Sequence, residues 1–221
     1  MSIEKLMDFT LFQEMTKEEV QDAFKALGAR EKTFQKGDII FLSGDPTAEM
    51  GLVLSGSVTI ENDDLFGNRT ILSLIGRGEL FAETYALLGT VPLLVNVCSN
   101  EDSDILFLRL DHEKAYRSFP WQQKFFRNLL LDSSRKNLLL SSRAFHTAPK
   151  TIRGRVMAYL DSMSKQSHSY EFDLPFNRQQ MADYLNVDRT ALSKELARMK
   201  EEHLLDYHRS HFRLLLTGKK E

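Results

Sequence analysis

Asn177-Arg178-Gln179-Gln180-Met181-Ala182-Asp183-Tyr184-Leu185-Asn186-Val187-Asp188-Arg189-Thr190-Ala191-Leu192-Ser193-Lys194-Glu195-Leu196 decides the reading of this 221-residue chain. It divides into two short helical segments around a tight turn. Asn177 can cap the first, with Gln180 three residues on, as in a capping box. Met181, Tyr184 and Leu185 fall on one face at helical spacing. Leu185-Asn186-Val187 is the turn, and Asn tolerates the left-handed backbone that a sharp helix–helix turn often needs. Asp188 caps the second segment. Leu192, Leu196 and Met199 then face inward, while Arg189, Thr190, Ser193 and Lys194 face out near its N-terminal end. This is the layout of a helix-turn-helix, whose second helix lies in the DNA major groove with its N-terminal residues at the base edges. Arg suits guanine, Lys suits guanine or phosphate, and Ser or Thr meets several bases. The same periodicity also suits an ordinary helical hairpin with a solvated polar face.

The residues that follow narrow the choice. Leu205 to Leu215 reads as two short strands around a polar turn, with Tyr207 and Phe212 as apolar anchors and His208-Arg209-Ser210-His211 at the tip. A hairpin after a recognition helix is a wing. Its basic tip can reach phosphate, a contact that gives affinity and register rather than sequence choice.

Upstream, Ser2 to Leu27 reads as short helices, with Thr16-Lys17-Glu18-Glu19 a helix start. From Arg30 to Leu110 the pattern switches to short apolar runs separated by Gly, Asp and Asn. Ile39–Leu42, Gly51–Leu54, Val58–Ile60, Thr70–Ile75 and Ile105–Leu108 are such runs, and they predict antiparallel strands in a barrel or sandwich. The glycines at 37, 44, 56, 67 and 78 fit its turns. After Pro120 the chain lacks Gly and Pro as far as Phe145. Leu131, Leu138 and Phe145 recur every seventh residue, a stripe that suits a helix packing on a partner. Lys136, Asn137 and Ser141 interrupt the seam, so a core helix on its own strands is the alternative. His146 to Lys150 reads as a hinge, with Pro149 able to open the next helix, Thr151 to Ser164.

Bulk properties bound the reading. A hydrophobic content of 42% is enough for packed cores. No apolar run approaches ~20 residues, so no membrane span is expected. Met1-Ser2-Ile3-Glu4-Lys5 lacks the apolar core of a secretory signal. The single cysteine excludes an intrachain disulfide and suits a reducing cytoplasm. Net charge is −2, but residues 150–221 carry 13 basic and 10 acidic side chains against 16 and 21 in the remainder. The basic surplus lies where phosphate has to be neutralised.

Arg178 to Lys194 resembles the DNA-binding signature of the Crp/Fnr family of bacterial transcription regulators. Lys36-Gly37-Asp38-Ile39-Ile40-Phe41-Leu42-Ser43-Gly44-Asp45, Gly51 to Val58, Gly67-Asn68-Arg69 and Gly78-Glu79-Leu80-Phe81-Ala82-Glu83 resemble that family's cyclic-nucleotide-binding-like β-roll. The resemblance covers nearly the whole chain, in order. It implies an α+β fold: an antiparallel, jelly-roll-like β-roll sensor over residues 1–110, a long dimerisation helix over 111–146 and a winged helix-turn-helix over 147–221. It further implies a cytoplasmic homodimer on two-fold symmetric double-stranded DNA, with the dimer interface at Leu131, Leu138 and Phe145. RNA polymerase is a further partner for an activator. Arg189 is expected to read bases, Lys194 a base or a phosphate, and Thr190 and Ser193 to add groove contacts. Arg178 and Gln179 are expected at phosphate. Many relatives have Glu where Thr190 stands, so a cytosine preference through that carboxylate should be absent.

The effector region departs from the pattern. In cyclic-AMP-binding relatives a Gly-Glu pair contacts the ribose, and Arg followed by Ser or Thr holds the phosphate. Glu83 keeps the acidic position, but ungapped alignment puts Leu93 and Leu94 in place of the phosphate grip. Burying a phosphate beside two leucines leaves its charge unpaired, which is costly. Cyclic AMP and cyclic GMP are therefore not expected at the region of Phe81, Glu83, Thr84, Leu93 and Leu94. That leaves a less polar effector of unknown identity, or leucines that simply fill the roll, and no cofactor.

Other classes fit less well. All six histidines (His112, His146, His168, His203, His208 and His211) lie outside Arg30 to Leu110, which argues against a cupin-like metal enzyme. No phosphate-binding loop, nucleophile elbow or His-Glu-x-x-His motif is present. An iron–sulfur cluster needs several cysteines, and Cys98 in its apolar run reads as a small buried hydrophobe. A ligand-binding interaction protein whose helix-turn-helix does not bind DNA is the remaining rival. Arg189, Ser193 and Lys194 argue against it.

Overall fold

The apolar runs between Arg30 and Leu110 form two four-stranded antiparallel sheets. The computed structural model describes residues 3–63, 69–110 and 119–215. Gly67, Asn68 and residues 111–118 of the predicted dimerisation segment lie outside them. Two compact units divide the chain, Met1–Ser133 and Ser134–Glu221.

The first unit opens with two helices, α1 (Ile3–Leu6) and α2 (Lys17–Ala26). The predicted start of α2 is a complete capping box: the Thr16 hydroxyl accepts from the Glu19 amide, and the Glu19 carboxylate accepts from the Thr16 amide. The strands are β1 (Arg30–Phe34), β2 (Ile39–Phe41), β3 (Glu49–Ser55), β4 (Val58–Asp63), β5 (Arg69–Ile75), β6 (Leu80–Phe81), β7 (Asn96–Ser99) and β8 (Ser103–Arg109), with the short helix α3 (Glu83–Leu88) after β6. One sheet runs β1-β8-β3-β6 and the other β2-β7-β4-β5. Between them sit Phe34, Val53, Val58, Phe81, Val97, Ile105 and Phe107. Gly51 on β3 has to be glycine for steric reasons: a Cβ there would lie 2.0 Å from the Phe81 ring.

A second cluster joins the N-terminal helices to the roll and to the start of the long helix α4 (Pro120–Thr147). Trp121, Phe125 and Leu129 of α4 are buried against Phe12, Leu52 and Leu108. Each such side chain stabilises the unit by roughly 1.5–3 kcal/mol relative to exposure. The Asn128 amide donates to the carbonyls of Leu11 (3.0 Å) and Gln13 (2.8 Å), and Lys124 pairs with Glu19 at 2.8 Å. Over its first half, then, α4 is the core helix of the alternative reading. Further along, its leucines emerge: Leu138, Leu139 and Leu140 are each at least 67% exposed.

The second unit contains the end of α4, then α5 (Ile152–Ser167), β9 (Glu171–Asp173), α6 (Arg178–Leu185), α7 (Arg189–Glu201), β10 (Leu205–His208) and β11 (His211–Leu214). Helix α5 opens one residue after the expected Thr151, because Thr151 is its cap and accepts from the Gly154 amide at 3.0 Å. Val156, Leu160, Met181, Leu185, Leu192, Leu196, Met199 and Phe212 form its core. The wing has a third strand, with β9 pairing against β11. Among the described residues no helix is long and apolar enough to cross a membrane.

Candidate nucleic-acid interface and effector region

Asn177 caps α6 as the sequence predicts, its side chain accepting from the Gln180 amide while Gln180 accepts from the Asn177 amide. The turn after α6 is a Schellman motif. Asn186 is left-handed (φ 53°), the Val187 amide reaches back to the Ala182 carbonyl at 3.0 Å, and the Asn186 amide to that of Asp183 at 3.3 Å. Asp188 then caps α7, accepting from the Ala191 amide at 2.8 Å. These local bonds leave α7 one way to lie, with Leu192, Leu196 and Met199 fully buried.

The opposite face carries Arg189, Thr190 and Lys194, all exposed, and half-buried Ser193. The Ser193 hydroxyl donates to the Arg189 carbonyl at 2.9 Å, so its oxygen faces a ligand as an acceptor. Gln179, at the front of α6, has its amide held by Asp183 at 2.8 Å. Arg178 is different: its guanidinium lies 5.0 Å from the Tyr207 ring centroid and 5.5 Å from that of Phe212, and donates to the Arg209 carbonyl at 3.5 Å. Burial lowers its pKa. Arg178 thus ties the wing to α6. A shallow cleft of about 430 Å³ lies beside it, lined by Asn177, Arg178, Arg209 and Ser210 among others.

The wing turn is Arg209-Ser210, with Arg209 in the left-handed region at φ 56°. His211 stands between two acids of β9, with Nε2 3.0 Å from Glu171 and Nδ1 3.2 Å from Asp173. The bonds to Glu171 and then Asp173 raise its pKa.

At the roll, Glu83 is buried and opens α3 behind Ala82, which takes φ 59° where the relatives' Gly-Glu pair has glycine. Leu93 and Leu94 separate. Leu93 is 2% exposed and Leu94 71%. Leu93 fills the roll and is pinned by its backbone, which donates to the Asp45 carbonyl at 3.0 Å and accepts from the Gly44 amide at 2.7 Å. The expected pocket residues therefore part company: Phe81, Glu83 and Leu93 point into protein, and Thr84 and Leu94 face solvent. Phe81 meets Phe41 and Phe107 edge to face at centroid separations of 5.9 and 6.4 Å. Cys98 is buried on β7, and burial followed by the nearby Glu61 carboxylate pushes its thiol up to about 11. A protonated, buried thiol behaves as the small hydrophobe expected of it.

Two family models match the chain in the order of its units. A cyclic nucleotide-binding domain covers residues 31–115, and a Crp-like helix-turn-helix domain covers residues 154–217. This chain belongs to the Crp/Fnr family of transcription regulators. The cyclic AMP receptor protein of Thermus thermophilus is 29% identical over 194 residues, spanning 87% of this chain and 86% of that protein. The transcriptional activator protein FnrL of Cereibacter sphaeroides is 24% identical over 189 residues, 77% of this chain and 70% of that one. The solved catabolite activator protein of Thermus thermophilus superposes with a TM-score of 0.50 at 25% identity, covering 93% of each chain. CprK complexed with OCPA shares the fold at a TM-score of 0.61 and 15% identity, covering 90% of this chain and 92% of that one. A Crp/Fnr regulator couples an effector-binding domain to DNA binding, and both parts are present here.

Residue patterns missed two members of the DNA-binding unit. Arg143 on α4 and Arg155 on α5 both reach the C-terminal end of α6. Nothing in their local sequence marks them, since their acceptors are backbone carbonyls some 30 to 40 residues away.

Proposed function

We propose that this regulator acts as a homodimer on a two-fold symmetric operator, read by α7, under an effector that is not a cyclic nucleotide. The observation that carries the DNA reading is the front of α7. A buried apolar back and a left-handed turn fix the helix, and Arg189, Thr190, Ser193 and Lys194 stand together on its free face. Arg189 reads a base edge, bidentate to guanine where the site offers one. Lys194 meets a base or phosphate, and Thr190 and Ser193 add groove contacts. Gln179 and the wing tip at Arg209 supply phosphate contacts, while Arg178 holds the wing in reach.

Dimer formation is supported by the apolar stripe on α4. Leu131, Leu138 and Phe145 are 43%, 68% and 68% exposed in the single chain. Paired α4 helices place two recognition helices about 34 Å apart, one turn of DNA. For an activator, RNA polymerase is the second protein partner.

The name of the Thermus relative makes that protein a receptor for cyclic AMP. Here Leu93 takes the place of the phosphate-binding arginine and is buried, so a cyclic phosphate would meet hydrocarbon. A less polar effector suits this region.

The test is selection from random duplex DNA followed by Arg189→Ala. The wild type should enrich a two-fold symmetric site. The variant should lose about 1–3 kcal/mol there and relax base choice at one position per half-site. An equal loss at all sequences would make Arg189 a phosphate contact and overturn its assignment.

A further inference from the structure

The C-terminal end of α6 is held from outside the helix-turn-helix. The last carbonyls of a helix have no partner within it, and cationic donors there also meet the negative end of the helix dipole. Five successive carbonyls can be accounted for. Ala182 and Asp183 accept from the amides of the Schellman turn. Arg143 donates from Nη2 to the Asp183 carbonyl at 3.1 Å and from Nε to that of Tyr184 at 3.2 Å. Arg155 Nη1 donates to the carbonyls of Leu185 at 3.1 Å and Asn186 at 2.8 Å. His146, one turn beyond Arg143 on α4, is 4% exposed and shares a 2.9 Å hydrogen bond with the Tyr184 hydroxyl. The Arg143 guanidinium also lies 5.8 Å from the centroid of the Tyr184 ring. The last turns of the long helix therefore grip the residue that immediately precedes the recognition turn.

We infer that Arg143 and His146 are positioning residues for DNA recognition, setting the turn from which α7 departs and tying it to the long helix. Recognition groups need placing within roughly 0.5 Å and 10–20° of their working geometry, and residues behind them supply that precision. The Schellman bonds fix the shape of the turn at Asn186, and a fork gripping two carbonyls beside it fixes where that turn sits on the end of the long helix. A change in the long helix reaches the turn through Tyr184, without passing along residues 148–151. The inference rests on the reading of α7 as the element that recognises DNA.

The test uses the full chain and the site enriched by the wild type, with fluorescence anisotropy on that duplex and on a scrambled one across a salt series. Arg143→Met keeps the length and removes the fork. It should weaken the enriched site about tenfold or more, the scale of losing charge-assisted hydrogen bonds. The scrambled duplex should change about twofold or less, and the slope of log affinity against log salt should stay the same. Arg143→Lys reaches one carbonyl instead of two and should restore part of the discrimination. His146→Phe keeps the ring, loses the hydrogen bond to Tyr184, and should lower discrimination in the same sense.

Enriched-site affinity within threefold of the wild type in Arg143→Met overturns the inference. So does a salt slope reduced by about one, which would make Arg143 a direct phosphate contact. A parallel loss on both duplexes with a collapsed melting temperature, unrelieved in Arg143→Lys, overturns it in favour of simple packing. If the wild type itself enriches no sequence, the recognition reading fails first and takes the inference with it.

Discussion

Leu138→Ala tests the proposed dimer most directly. Leu138 lies in the middle of the seven-residue stripe and is 68% exposed in the single chain. Truncation to Ala removes three carbons, about 2.4 kcal/mol at roughly 0.8 kcal/mol per buried methylene. Only the exposed share can be buried anew by a partner, which leaves about 1.6 kcal/mol per copy. In an isologous interface each residue counts twice, so the dimer loses about 3 kcal/mol. At 1.4 kcal/mol per tenfold, that raises the dimer dissociation constant by about two orders of magnitude. Helix propensity does not confuse the result, since Ala is the better helix former. Sedimentation equilibrium measures the constant directly. Leu94→Ala is the control: it removes the same atoms from a leucine 71% exposed on the roll, off the stripe. Equal shifts in the two variants, or a shift under about threefold for Leu138→Ala, refute the argument, because additivity errors alone reach that size.

Three further outcomes follow from the geometry. Titration calorimetry with cyclic AMP or cyclic GMP should show no micromolar binding, and a clear isotherm in that range would overturn the reading of Leu93. Ala82→Gly should stabilise the roll by up to about 1 kcal/mol, because a left-handed alanine is strained by roughly 1–2 kcal/mol and glycine gives back part of this in chain entropy; an unchanged or lower melting temperature would show that the strain is not there. His211 has a folded pKa raised by Glu171 and Asp173, so its contribution to the wing is fully present below its unfolded value and is lost as pH rises through the folded one. Hydrogen exchange of the β11 amides, corrected for intrinsic rates, should accelerate above about pH 6.5, the unperturbed histidine value. His211→Gln should flatten that profile, and parallel profiles would remove His211 as a tether.

How much of this was legible in the residues depended on range. Asn177, Gln180, Asn186 and Asp188 act on backbone within three or four residues, so the helix-turn-helix and its caps read correctly from sequence alone. The strands at Ile39, Gly51, Val58, Thr70 and Ile105 announced themselves by apolar runs. Strand β1 did not: of Arg30-Glu31-Lys32-Thr33-Phe34 only Phe34 is buried, and the strand exists because β8, from Ser103 to Phe107, pairs with it far along the chain. The three residues of β9 are equally mute without β11. The stripe on α4 was ambiguous for a physical reason: the helix is core at Phe125 and Leu129 and exposed at Leu138, so one pattern serves two environments. Sequence shows the charge of Arg178 and its place at a helix start, which is the ground for expecting it at phosphate. It cannot show the Tyr207 and Phe212 rings brought under that charge by the wing.

The effector region illustrates the same limit and bears on control of the protein. Leu93 and Leu94 are adjacent and identical in type, yet one belongs to the core and the other to the surface. An arginine at 93 with no phosphate would be an unpaired buried charge, and a leucine there with a phosphate is the same fault reversed. The roll therefore suits one occupancy or the other, and the proposal of a less polar effector rests on the buried leucine here. The interior around it is closely packed: Phe41, Phe81 and Phe107 interlock, Phe81 lies against Gly51, and the Leu93 backbone is sewn to the turn at Gly44 and Asp45. An effector that leaves those contacts in place is confined to what faces outward, Leu94 and Thr84 among them. Such a ligand gains by covering hydrocarbon rather than by neutralising charge, so its affinity should vary little with salt, whereas DNA binding through Lys194 and the wing should fall steeply. Salt thus separates the two events in one protein, and a salt-sensitive effector would mean that a charged group other than Leu93's lost counterpart has taken over the grip.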